Sequence, residues 1–230
     1  MMPGRRIAQL GALLAVTLAL AAAAACHDNV GVGACFDSAT TWYAYWLNSD
    51  TSLVFHWPAS YMPIRVYAEP SGDLPADVSN AMSVWQGAFR CHELSYTIVT
   101  DSTHADIIVR NPVNVPAVAR PEIRALHADS VSACTGVTQF SLDSAGTALA
   151  GPMRSYVSPL PGNDSASVHS CYHFVVAHEL GHALGLLAES PDSGDIMYPT
   201  PTRLALSEAD RYTIQILYHA PSKLGPPPRP

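Results

Sequence analysis

Residues 178–190 read HELGHALGLLAES, and Asp195-Ile196-Met197-Tyr198-Pro199 follows shortly after. His178 and His182 are four residues apart, so on a helix they share a face and both imidazoles can point at one ion. Glu179 lies one position on, rotated roughly 100° from His178, close enough to hold a water at that ion. Zinc lowers the pKa of such a water to about 7, and a carboxylate beside it can take the proton as the water attacks a carbonyl. With 10 histidines in 230 residues, H-E-x-x-H is expected by chance roughly 0.01 times. Gly185 stands three residues past His182, where glycine lets a helix end and the chain turn back.

Working outward from this helix, expected over residues 168–187, the chain reads as strand, helix, several strands and two helices. Ile64-Arg65-Val66-Tyr67-Ala68 alternates like a strand, and Pro70-Ser71-Gly72-Asp73 punctuates it. Pro75 suits the first turn of a helix whose Val78, Met82, Trp85 and Phe89 fall on one face, a core stripe. Two short β-type runs at 94–99 and 105–110 flank a polar turn. Residues 111–132 are punctuated by proline and carry no assignment. Further strands are expected at 136–142 and within 147–157, with a loop at 158–167. Ser207-Glu208-Ala209-Asp210 opens a last helix with a serine cap and an acid three residues on. The pattern is a small α/β domain with a mixed sheet and no internal repeats.

The ends carry different signals. Arg5 and Arg6 precede an apolar, alanine-rich run over residues 7–25, the composition of an export signal. No basic stop-transfer cluster follows, so a signal peptide over 1–25 is expected rather than an anchor helix. Ala23-Ala24-Ala25-Cys26 resembles a bacterial lipobox, which makes Cys26 a candidate lipid anchor and the only expected tie to a membrane. Setting Cys26 aside leaves Cys35, Cys91, Cys134 and Cys171, an even number that suits two disulfides in an exported protein. Three connectivities exist, of which Cys134–Cys171 with Cys35–Cys91 is preferred. Losing residues 1–25 removes two arginines and no acid, moving the formal charge from −7 to about −9. An acidic chain lacks the basic footprint that nucleic acid requires. Residues 26–61 are irregular and rich in aromatics, read as an extended segment tucked against the domain. Residues 220–230, ending in GPPPRP, read as a tail.

H-E-x-G-H-A-L-G-L followed by I-M-Y-P resembles the metzincin metalloproteases and, within them, the matrixin-like branch. IRVYAEPSG, the helix with Trp85, ADIIVR and LSEADRYTIQILY are similar to bacterial matrixin-like domains, so the resemblance covers roughly residues 62–219. It implies a twisted mixed sheet with the zinc helix packed on it, a methionine turn and a C-terminal helix. It also implies one catalytic zinc, a polypeptide substrate along an edge strand, Glu179 as general base, Met197 in the turn, and Pro199 walling the adjacent pocket. A monomer is expected.

The chain departs from the family at the third ligand. The pattern H-E-x-x-H-x-x-G-x-x-H requires a histidine at 188, where Ala188 stands. Some similar bacterial sequences carry one more residue and read G-L-x-G-H-S; set against them, Glu189-Ser190 takes the place of His-Ser. Glu189 is therefore the candidate to join His178 and His182, and two histidines with one glutamate make a working hydrolytic site in other protease classes. Asp192 and Asp195 are its rivals. His56, His92, His104, His127, His169, His173 and His219 read as ordinary surface or hydrogen-bonded histidines. The family's structural Ca2+ has no clear loop here; Asp143-Ser144-Ala145-Gly146 reads more simply as a turn. No cysteine-switch sequence is present. Two functions remain open: a zinc endopeptidase, and a non-catalytic zinc-binding or peptide-binding surface lipoprotein that has lost its third ligand.

Overall fold

The computed structural model describes residues 42–45, 53–111, 124–131, 134–159 and 165–220. They lie in one compact unit, Ala39–Pro230. The expected signal segment and Cys26, Cys35 and the C-terminal tail fall outside the described residues.

Strand β1 (Ile64–Ala68) alternates as its sequence demands, with Ile64 and Val66 buried and Arg65 exposed. Helix α1 (Leu74–Gln86) carries Pro75 in its first turn, where the missing amide costs no helical bond. Its Val78, Met82 and Trp85 are fully buried, and Phe89, just past its end, is nearly so. Strands β2 (Tyr96–Val99) and β3 (Ile107–Arg110) are linked through a short 3-10 turn at Ser102–His104. They do not pair with each other: β1 lies between them and is parallel to both.

Strand β4 (Arg124–Val131) falls in the stretch that composition left without an assignment. Strands β5 (Cys134–Phe140) and β6 (Met153–Pro159) complete a six-stranded sheet in the order β2-β1-β3-β6-β5-β4. Only β5 runs against the others, antiparallel to both β4 and β6. The edges of this mixed sheet are therefore β2 and β4.

Helix α2 (Ser165–Ala183) begins three residues earlier than the sequence suggests and ends four residues sooner. The expected loop at 158–167 is correspondingly trimmed from both sides. Helix α3 (Glu208–His219) opens with the expected cap: the Ser207 hydroxyl accepts from the Asp210 amide at 2.9 Å, and the Asp210 carboxylate accepts from the Ser207 amide at 3.1 Å.

Apolar burial and a few side-chain hydrogen bonds fasten the helices. The Trp85 indole donates to the Ala177 carbonyl at 2.8 Å, tying α1 to α2, and the Tyr172 hydroxyl donates to the Val157 carbonyl of β6 at 3.2 Å. The N-terminal segment enters the same core through Val54, Phe55 and Trp57, whose indole donates to the Ala183 carbonyl at 2.9 Å. Cys134 and Cys171 form the expected disulfide, joining the start of β5 to α2. Cys91 is also disulfide-bonded; the Cys35 half of the second expected bridge lies outside the described residues. Among the described residues no helix is long and apolar enough to cross a membrane.

Candidate active site

The site grows from the way α2 stops. Gly185 adopts φ +113°, a conformation open to glycine. The Leu186 amide then reaches back to the Gly181 carbonyl at 3.1 Å and the Gly185 amide to the His182 carbonyl at 3.0 Å, the two bonds of a Schellman cap. A side chain at 185 would run into the Phe55 carbonyl. The cap brings the Leu186 carbonyl under His182, whose Nδ1 donates to it at 2.6 Å.

His178 is oriented from the other side. The turn at residues 195–198, closed by the Tyr198 amide on the Asp195 carbonyl at 3.3 Å, presents the Ile196 carbonyl. The Nδ1 of His178 donates to that oxygen at 2.8 Å. Carbonyls only accept, so both Nδ1 atoms carry the proton and both Nε2 atoms present lone pairs. The rings stand nearly perpendicular, 89° apart, with centroids at 4.7 Å. Met197 packs on the helix between the two histidines in sequence: a side chain at Gly181 would meet the Met197 sulfur and the Trp85 ring.

The third member comes from the loop beyond the cap. The Ser190 amide donates to the Met197 carbonyl at 2.7 Å, which folds residues 190–197 back on themselves. One ligand atom each from His178, His182 and Glu189 lies within 4.8 Å of the other two. That gathers three donors around one point; to share one tetrahedral ion at bonds of about 2 Å they would draw in to about 3.3 Å apart, and two neutral imidazoles with a carboxylate suit zinc. The residues present fit the ion. Asp192 and Asp195 are engaged otherwise: Asp192 accepts from the Gly194 amide at 2.8 Å, and Asp195 accepts from the Ser190 hydroxyl.

Glu179 is buried and turns toward the sheet. Thr138 on β5 donates its hydroxyl to Oε2 at 2.6 Å, and the Ser155 hydroxyl of β6 lies 2.8 Å from Thr138 Oγ1. Thr138 and Ser155 face each other in the β5–β6 register. Gly136 lies beneath the carboxylate, and a Cβ there would collide with Oε1. Sequence reasoning missed these three residues. The only hint was a glycine, a threonine and a serine at core-facing strand positions, which reads equally well as ordinary packing.

Behind the methionine turn, the buried Asp210 carboxylate accepts from the Ile196 amide at 2.9 Å and from the Tyr43 hydroxyl at 2.7 Å. Burial pushes its pKa up, against the downward pull of the Ile196, Tyr43 and Ser207 donors. Asp143 accepts from the Thr147 amide and hydroxyl, so residues 143–147 close as a turn. Elsewhere His56 bonds to the Trp57 and Ala220 carbonyls, His104 to the Asp101 carboxylate, His173 to the His169 carbonyl and His219 to the Gln215 carbonyl.

The search of curated proteins returned no match. The matrixin (peptidase M10) family model matches residues 17–219, beginning inside the apolar N-terminal run. It takes in the sheet, the histidine helix, the methionine turn and α3, so the chain belongs to the matrixin family of zinc metallopeptidases.

Proposed function

We propose that this protein is a zinc-dependent endopeptidase in which His178, His182 and Glu189 hold one zinc and Glu179 is the general base. The observation that carries the reading is the pair of Nδ1–carbonyl bonds, which turn both Nε2 atoms to the metal side beside Glu189. When bound there, zinc supplies Lewis acidity to a scissile carbonyl and acidifies a ligated water to a pKa of about 7.

The chain's own residues do the rest. Glu179 takes the proton of the attacking water and passes it to the departing amine, a transfer typically worth about 10²–10⁴-fold in rate. The low dielectric around its buried carboxylate strengthens every charge interaction in that step. Glu189, being an anion, offsets part of the metal's charge that a third histidine would leave intact. The substrate is a polypeptide and the working unit a monomer. The protein is exported, with Cys26 as the candidate lipid anchor.

One feature favours a second reading, a zinc-binding or peptide-binding surface protein without catalysis: Ala188 stands where the family pattern has its third histidine. A quenched-fluorescent peptide library, with cut positions read by mass spectrometry, separates the two. The endopeptidase reading expects cleavage by the zinc-loaded protein that chelation abolishes and that Glu179→Gln lacks. A folded, zinc-loaded parent that cuts nothing would give the second reading the lead.

A further inference from the structure

We infer that Thr138 is a positioning residue for Glu179: its hydroxyl holds Oε2 of the base, so that Oε1 is the oxygen that receives the proton. This rests on Glu179 being the base.

The direction of the hydrogen bonds follows from the groups involved. An ionised carboxylate only accepts, so Thr138 Oγ1 donates to Oε2 at 2.6 Å. The Glu179 backbone carbonyl lies farther from the same hydroxyl, at 3.0 Å, and is uncharged, so the single hydroxyl proton goes to the carboxylate. With its proton committed, Thr138 accepts from Ser155 at 2.8 Å. Two hydroxyls on adjacent strands thus point in series at one oxygen, and all three residues are fully buried.

A glutamate has three side-chain torsions, and the helix restricts only the first of them. Here the sheet does so from two sides: Thr138 takes one oxygen, and the bare Cα of Gly136 leaves room for the other. Both come from the same face of β5, two residues apart. The Cys134–Cys171 disulfide ties that strand to the helix carrying Glu179. A base misplaced by about 1 Å loses up to about 10²-fold in rate, which gives such a clamp a catalytic consequence.

Two measurements on the parent, Thr138→Val and Thr138→Ser test this. The first is steady-state cleavage by the zinc-loaded proteins. Valine keeps the β-branched shape and removes the hydroxyl; kcat is expected to fall about tenfold or more with KM within about twofold. Serine restores the hydroxyl and is expected to hold kcat within about threefold. The second is the 13C resonance of the Glu179 carboxyl in the metal-free proteins, assigned with Glu179→Gln. It is expected to shift or broaden in Thr138→Val and to stay in place in Thr138→Ser. Should the valine variant fail to fold, Ser155→Ala removes the second donor and is expected to lower kcat severalfold.

Parent-like kcat in Thr138→Val, an equal loss in Thr138→Ser, or an unmoved carboxyl resonance in the valine variant would overturn the inference. So would parent-like kcat in Ser155→Ala, where that variant replaces the valine. An inactive zinc-loaded parent would overturn the endopeptidase reading instead, and the resonance would still decide whether Thr138 holds Glu179.

Discussion

Ser190 donates its backbone amide to the carbonyl of Met197 at 2.7 Å, and this bond couples the loop that carries Glu189 to the methionine turn. Glu189 precedes Ser190, while Ile196, whose carbonyl orients His178, precedes Met197. The loop that supplies the carboxylate is therefore braced by the turn that orients an imidazole.

If Glu189 completes the site, Glu189→Ala should weaken zinc binding by about 10²-fold or more, since even loss of an outer-shell partner costs 10–100-fold. Glu189→His should retain zinc near the parent level. Competition with a fluorescent chelator measures both. Zinc affinity unchanged in Glu189→Ala, with a loss in Asp195→Ala instead, would move the third ligand to Asp195.

Gly185 holds the cap that places the Leu186 carbonyl under His182. Gly185→Ala combines a left-handed φ of +113° with a collision at the Phe55 carbonyl. It should cost about 3 kcal/mol of stability, read as a lower urea midpoint. An unchanged midpoint would mean that the helix end can be rebuilt without this cap.

How much of this was legible beforehand follows from the range of the interactions. β1, the first turn of α1 and the capping box of α3 are set by residues within a few positions of one another, and the sequence displays them directly. The grouping of His178, His182 and Glu189 was legible because the two histidines share a helix and Glu189 follows on the adjoining loop. Strand β4 was not: it lies in a proline-punctuated stretch, and pairing with β5 is what makes it a strand. The hold of Thr138 on Glu179 spans 41 positions, and its alternation on β5 looks like that of any core-facing residue. The end of α2 was placed four residues late because apolar periodicity continues through Leu186 and Leu187, while backbone conformation at Gly185 stops the helix.

Asp210 gives the fold a pH signature. Burial raises its pKa above the ordinary 3.8, so the folded protein binds this proton more tightly than the unfolded chain. Its contribution to stability is full below pH 3.8 and declines as pH rises through the raised value. The stability of the parent minus that of Asp210→Asn, from urea titrations at stepped pH, should fall across that window and level off above it. A difference that grows with pH there would contradict the assignment.

Tyr43 fastens the N-terminal segment to the same carboxylate at 2.7 Å. Tyr43→Phe removes a hydrogen bond to a buried charged group and should cost about 1.5–3 kcal/mol. Hydrogen exchange should then rise at the Ile196 amide, which shares Asp210. Unchanged exchange at Ile196 would show that the turn is held without Tyr43.

The X-ray absorption spectrum of the protein loaded with one equivalent of zinc tests the site most directly. The account predicts two imidazole nitrogens and a carboxylate oxygen from the protein, with the carboxylate contribution lost in Glu189→Ala. A third imidazole, or a spectrum identical in parent and variant, would contradict it.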